Sequence, residues 1–178
     1  VEIGAFGRQT WYGTSYELQD KAGFGARLGI FVVRNLEVEL HGSYTPTNST
    51  RPGATFDERV TDINGRALLE YNINAHPVAF IIGAGAAYNK YGGDALEGNT
   101  LKDNEIGPSG LFGIRFGVGG SIQARVDGTY DYFTSPAPIL SGADKDWNWG
   151  LQAGISFLFP KEKPRDTDGD GVPDKLDQ

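Results

Sequence analysis

Apolar and polar side chains alternate one by one along most of this chain, most clearly at its end. Trp147, Trp149, Leu151, Ala153, Ile155, Phe157 and Phe159 share one face, and Asn148, Gly150, Gln152, Gly154 and Ser156 share the other. Successive side chains of a strand point to opposite faces, so this period of two predicts a strand with one greasy side and one small or polar side. Only Leu158 breaks the rule. The same period predicts strands at Val1–Tyr12, Phe24–Val33, Leu36–Thr45, Asp62–Ile73, Val78–Tyr91, Ile106–Val118 and Ser121–Phe133. Tight turns at Arg34-Asn35, Asn74–Pro77 and Gly119-Gly120 alternate with long polar loops at 14–23, 46–60, 92–105 and before Trp147. A helical period is nowhere dominant. The expected fold is all-β: an eight-stranded antiparallel up-and-down barrel over residues 1–159, then a short linker over 160–178.

Eight such strands close in either of two ways. A lipocalin-like barrel puts the apolar face inside and suits a small hydrophobic ligand, whereas a transmembrane barrel puts it against lipid and packs the polar face within. The polar face carries arginine, not lysine: Arg8, Arg27, Arg66, Arg115 and Arg125 lie within strands, while the lysines fall in loops, in the tail or, at Lys90, at a strand end. A solvated face would mix in lysine, but a packed interior favours the planar, weakly hydrated guanidinium fork. Glu2, Glu37, Glu39, Glu70 and Asp127 share that face as a balanced set of partners, and balance is what burying charge requires. Glycine crowds the same face, as the narrow interior of an eight-stranded barrel demands.

The aromatic residues support the same choice. Trp11, Phe24, Tyr44, Tyr88, Tyr130, Tyr132, Trp147 and Trp149 fall near the long-loop end of the apolar face, with Phe80, Phe157 and Phe159 near the other rim. Such a girdle suits amphipathic rings that prefer the headgroup zone. The expected barrel is therefore the transmembrane one.

Composition changes this picture little. A mean hydropathy of −0.36 fits a membrane barrel, in which only alternate residues meet lipid, and no apolar run approaches the roughly 20 residues of a transmembrane helix. A formal charge of −7 and an acidic pI near 4.8 argue against a nucleic-acid partner. Cysteine is absent, which excludes disulfides and thiolate metal sites. No signal peptide precedes Val1, so the chain reads as mature, trimmed or cytosolic.

After Phe159 the composition shifts to the stiff polar stretch Pro160–Pro164 and then to Asp166-Thr-Asp-Gly-Asp-Gly-Val-Pro-Asp-Lys-Leu-Asp177. Asp166, Asp168, Asp170, Asp174 and Asp177, with the Val172 carbonyl, occupy the ligand positions of a twelve-residue Ca²⁺ loop, and Gly171 supplies its sharp turn. The loop departs from an EF-hand: Asp177 replaces the usual glutamate, Pro173 lies inside it and no helical pattern flanks it. The plainer alternative is an acidic linker that binds nothing tightly.

The final strand and the Asp166–Asp177 loop together resemble the OmpA/OprF-like outer-membrane proteins of Gram-negative bacteria. That resemblance implies a barrel in the outer membrane with both termini periplasmic, joined by a thrombospondin type 3-like linker to a peptidoglycan-binding domain. That domain is not among these residues, so the chain reads as a truncated or proteolysed product, and cell-wall binding is not assigned to it. Phe159, with Phe157 and Ile155 two and four residues before it, is similar to the signal read by the outer-membrane assembly machinery.

Catalysis finds little support. Glu39, His41 and Ser43 share a face of one strand, but side chains two apart project in parallel and do not form a nucleophile's geometry; His76 precedes Pro77 in a turn and reads as surface. The expected function is a structural barrel that anchors the envelope through a periplasmic extension. The alternatives are a narrow ion channel, with the charged layer plugging the pore, and recognition by the long loops, none of which names a partner.

Overall fold

The computed structural model describes residues 1–50, 59–75, 77–93, 101–134 and 144–159, with backbone alone at 101–103. Eight antiparallel strands form one closed barrel in chain order, β1 pairing with β8. They are β1 (Glu2–Tyr12), β2 (Lys21–Val33), β3 (Leu36–Asn48), β4 (Arg59–Ala75), β5 (Val78–Gly93), β6 (Leu101–Gly119), β7 (Ile122–Phe133) and β8 (Asp146–Leu158). The short turns and both ends of the barrel lie at one rim, and the long connections lie at the other.

The alternation decides which way each strand faces. Glu2, Gly4, Phe6 and Arg8 of β1 point inward, while Ile3, Ala5 and Gly7 point out. Around the wall the outward residues are large and apolar, among them Leu28, Ile30, Leu69, Ile82, Phe112 and Leu151, all exposed. Glu2, Glu37, Glu39, Glu70, Arg125 and Asp127 are at 0% exposure. This overturns the lipocalin-like alternative. Water would meet a continuous apolar belt far larger than the patches that monomeric soluble proteins expose, while charge would fill the core.

The strands run further toward the long loops than the apolar pattern predicts. β2 begins at Lys21 and not Phe24, β3 continues to Asn48, β4 starts at Arg59, β5 reaches Gly93 and β6 starts at Leu101. Beyond the bilayer the outward face meets water, so apolar alternation stops while the backbone ladder continues. A bilayer needs about 9–11 residues of tilted strand, whereas β6 has 19 residues and β4 has 17. These strands therefore stand well above the lipid. The first long connection is also ordered in part: Thr14–Tyr16 forms a 3-10 turn, and Leu18 bridges to Ser49.

At the other rim the third turn is Gly120-Ser121, one residue later than predicted, with Gly120 in the left-handed region at φ 55°. A register shift between Gly117 and Gly119 accounts for the offset. β1 and β8 each end one residue short of the predicted span. Val1 and Phe159 nevertheless extend the seam: the Val1 amino group donates to the Phe159 carbonyl at 3.1 Å, and the Phe159 N–H donates to the Val1 carbonyl at 2.8 Å.

Glycine makes two kinds of space in this wall. A Cβ at Gly154 would stand 2.1 Å from the Ala5 carbonyl oxygen, so strand pairing itself forbids it there. A Cβ at Gly29 would stand 1.8 Å from Glu37 Oε1, and one at Gly113 would stand 2.0 Å from Asp127 Oδ1, so these glycines leave room for carboxylates.

Candidate functional site

The inward face of the barrel holds nearly all of its chemistry, stacked in tiers. The lower tier, toward the short turns, centres on Arg125 of β7. Its guanidinium donates to Asp127 and Glu39 at 2.7 Å and to both oxygens of Glu70 at 2.8 and 3.0 Å, and it lies 3.7 Å from Glu2. Arg115 of β6 joins Glu2 to Glu37 (3.2 Å) and donates to Asn72 at 3.1 Å. Arg27 of β2 donates to Asp127 at 2.8 Å and lies over the Phe6 ring at 4.9 Å. Each cation thus joins strands on different sides of the lumen, so the tier braces the wall. A fork that can bond several carboxylates at once suits this role better than an ammonium group.

Above it, Leu68, Ile81 and Leu111 form a small buried apolar cluster on the inward face. Arg66 pairs with Asp131, to which Ser109 donates at 2.6 Å and beside which Arg8 stands at 3.8 Å. Near the long-loop rim, a third tier is built from phenols and carboxylates. Tyr16 and Tyr91 both donate to Glu105 at 2.7 Å, and Tyr12 donates to Asp62 at 3.0 Å. Tyr16 comes from the 3-10 turn, packs with Leu18, Val60 and Tyr91, and is buried, so the first long connection seats a side chain in the barrel mouth. Burial, followed by the neighbouring Glu105 carboxylate, pushes the Tyr16 phenol well above its ordinary pKa.

All ten residues proposed from sequence for interior ion pairing are inward and buried. Eight of them engage one another: Glu2, Arg27, Glu37, Glu39, Glu70, Arg115, Arg125 and Asp127. Arg8 does not bind any acid of that set but stands beside Asp131, and Arg66 binds Asp131. Asp131 is therefore an acid that the sequence reading left out, although it lies on the polar face of β7 beside Asp127. The expected balance of charge also needs correction. Asp62, Glu105 and Asp131 are buried inside as well, so carboxylates outnumber guanidinium groups among the described residues.

Glu39 and His41 do meet, through Glu39 Oε1 and His41 Nε2, because the crowded lumen turns the glutamate back along its own strand. Gln152 Nε2 lies 3.5 Å from His41 Nδ1. Ser43 Oγ has no partner among these groups, so the trio does not form a nucleophile, base and acid in series. His76 and the ligand set Asp166, Asp168, Asp170, Val172, Asp174 and Asp177 lie outside the described residues.

On the outer face, Trp11, Phe24, Tyr44, Tyr88, Trp147, Trp149 and Phe159 are exposed, while Tyr130 and Tyr132 are half-buried. The register sets Trp149 between Trp11 and Tyr130, and Phe24 beside Tyr44. Tyr130 packs on Trp149 at 4.6 Å between ring centres, and Phe24 packs on Tyr44 at 5.7 Å. Phe159 belongs to the opposite rim.

The comparisons with known proteins agree with this construction. Neisserial surface protein A is 20% identical, with 89% of this chain and 96% of that chain covered and a TM-score of 0.61. The outer membrane protein OprG from Pseudomonas aeruginosa is 12% identical, with 90% and 95% covered and a TM-score of 0.59. The N-terminal β-barrel domain of Pseudomonas aeruginosa OprF is 13% identical, with 88% and 97% covered and a TM-score of 0.49. At these identities the first two likenesses show the fold. No curated protein sequence matches the chain. The family model described as "Outer membrane protein beta-barrel domain" matches residues 1–162. The closed barrel with its exposed apolar wall agrees with that match, and the chain belongs to this outer-membrane β-barrel family.

Proposed function

We propose that this chain is a structural barrel that anchors the envelope, with both termini periplasmic and the Asp-rich segment leading to a peptidoglycan-binding extension. The observation that carries the reading is the filled interior: carboxylates of β1, β3, β4 and β7 converge on Arg125, which is fully buried. An eight-stranded barrel is just wide enough for its own side chains, and such a plug favours rigidity over transport. The exposed apolar wall and its aromatic rings hold the barrel in outer-membrane lipid, and the Phe159 end is the part offered to the assembly machinery. On this reading Ca²⁺ binds at Asp166, Asp168, Asp170, Val172, Asp174 and Asp177 and stiffens the linker.

A narrow ion channel is the second reading, favoured by the surplus of carboxylates in the lumen, which would select cations. Folding the chain into detergent and comparing its gel mobility in SDS with and without boiling tests the barrel's closure, and a mobility shift is expected. Planar-bilayer recording then separates the two readings: rare, small openings fit the anchor, whereas large and steady single-channel currents refute it. For the linker, calorimetric titration with Ca²⁺ should give one event that Asp166→Asn with Asp168→Asn abolishes.

A further inference from the structure

The lower tier carries more negative charge than its cations meet. Glu2, Glu37, Glu39, Glu70 and Asp127 share three guanidinium groups, those of Arg27, Arg115 and Arg125, and all eight residues are buried. The excess of two negative charges lies at a depth where lipid surrounds the wall and unpaired charge is costly. One divalent cation would neutralise it.

The same tier also contains a ligand set for such an ion. Glu39, His41 and Glu70 each offer a donor atom, and these atoms lie within 4.8 Å of one another. Ligands at about 2.0–2.2 Å from a single Zn²⁺ lie about 3–3.5 Å apart, so modest side-chain adjustment closes the set. Glu39 offers Oε1 while Oε2 stays on Arg125, and Glu70 is held by the same guanidinium. Carboxylates oriented by an outer partner in this way are usual around bound metals.

A second observation concerns Gln152, which is 1% exposed and whose Oε1 has no partner. Its amide faces His41 Nδ1. Swinging that amide off Asp127 Oδ2, which its nitrogen now meets at 3.1 Å, lets Oε1 accept from Nδ1–H, and a metal-bound imidazole needs an acceptor at its other nitrogen. Asp127, which the amide nitrogen would leave, keeps Arg27 at 2.8 Å and Arg125 at 2.7 Å.

We propose that Glu39, His41 and Glu70 form an interior site for one divalent cation of the Zn²⁺ type, with His41 Nε2 and two carboxylate oxygens as ligands. Imidazole among the donors favours Zn²⁺ and its neighbours over Ca²⁺ or Mg²⁺. The ion would join β3 to β4 across their shared wall and replace two protons as the answer to the charge excess.

The test refolds the whole chain into detergent with Co²⁺ or Zn²⁺ present, adds excess Ca²⁺ to occupy the acidic tail, and removes free metal by gel filtration. One ion per folded chain is expected, with the visible absorption of Co²⁺ bound to a nitrogen ligand. His41→Gln should weaken binding by more than the roughly 10–100-fold that an outer-shell change costs, and Gln152→Leu should fall within that range. His76→Gln, which changes the only other histidine, should bind normally. Should His41→Gln fail to fold, the wild-type Co²⁺ spectrum still decides, because a spectrum without nitrogen ligation overturns the site. Metal-free wild-type protein, or undiminished binding by folded His41→Gln, overturns it equally.

Discussion

Replacing Arg125 with leucine removes the group on which the lower tier converges. Asp127 then keeps Arg27 at 2.8 Å and Gln152 at 3.1 Å, Glu2 keeps Arg115, and Glu39 keeps His41. Glu70 loses its only cation among the described residues. Stranding one partner of a buried pair costs about 3–5 kcal/mol, and proton uptake by Glu70 limits the loss to the lower part of that range, about 3 kcal/mol. Urea titration of the barrel in lipid vesicles, followed by tryptophan fluorescence and by gel mobility, reads the change. Adding Glu70→Leu to Arg125→Leu should restore about 2 kcal/mol, since apolar groups in place of a whole buried pair are often near neutral. Adding Glu37→Leu should not, because Glu37 answers to Arg115. A loss below about 1 kcal/mol for Arg125→Leu, or equal recovery from both second changes, would refute the reasoning: the lumen would then be wet, and its ion pairs as weak as those on a surface.

Other perturbations test other parts of the molecule. Gly154→Ala would place a Cβ 2.1 Å from the Ala5 carbonyl oxygen and should cost about 1–3 kcal/mol by forcing the closing strands apart. Gly7→Ala, with nothing within 4 Å of its new Cβ, should leave the yield of boiling-sensitive folded band unchanged. Leu69→Arg on the lipid face should destabilise the barrel by about 2–4 kcal/mol in the same urea assay, as cations near the bilayer midplane do; a neutral result would mean that Leu69 does not face lipid. The Tyr16 phenol has its folded pKa raised above the ordinary value of 10.0. Its contribution is therefore complete below about pH 10 and falls as pH rises past that value toward the higher folded pKa. Wild-type stability should decline above pH 10 more steeply than that of Tyr16→Phe, and parallel curves would show the mouth contact to be absent in solution.

Much of the architecture was legible because a membrane barrel writes its two environments into alternate residues. Leu36, Val38 and Leu40 against Glu37, Glu39 and His41 are enough to orient β3, and they do so correctly. What stayed hidden depends on register around a closed sheet. Nothing local to Arg66 on β4 indicates Asp131 on β7, 65 positions away, as its partner. Tyr16 lay in a stretch read as a polar loop, and its burial comes from Tyr91 and Glu105 across the mouth. Leu68, Ile81 and Leu111 look like lapses in the pattern until the lumen is seen to need an apolar filler between charged tiers. The strand extensions were missed because hydrophobic alternation reports lipid, whereas pairing continues in water.

The Val1–Phe159 seam bears on the order of events during folding. The two residues that meet there are 158 positions apart, so closing the ring brings together the first and the last residues of the barrel. Until then any partial sheet has two raw edges, each able to pair with another chain. Contacts of such long range make assembly slow, since the cost of bringing the ends together comes before their reward. A chain released before β8 (Asp146–Leu158) has been made cannot complete the ring, and an escort that shields both edges until closure would raise the yield most.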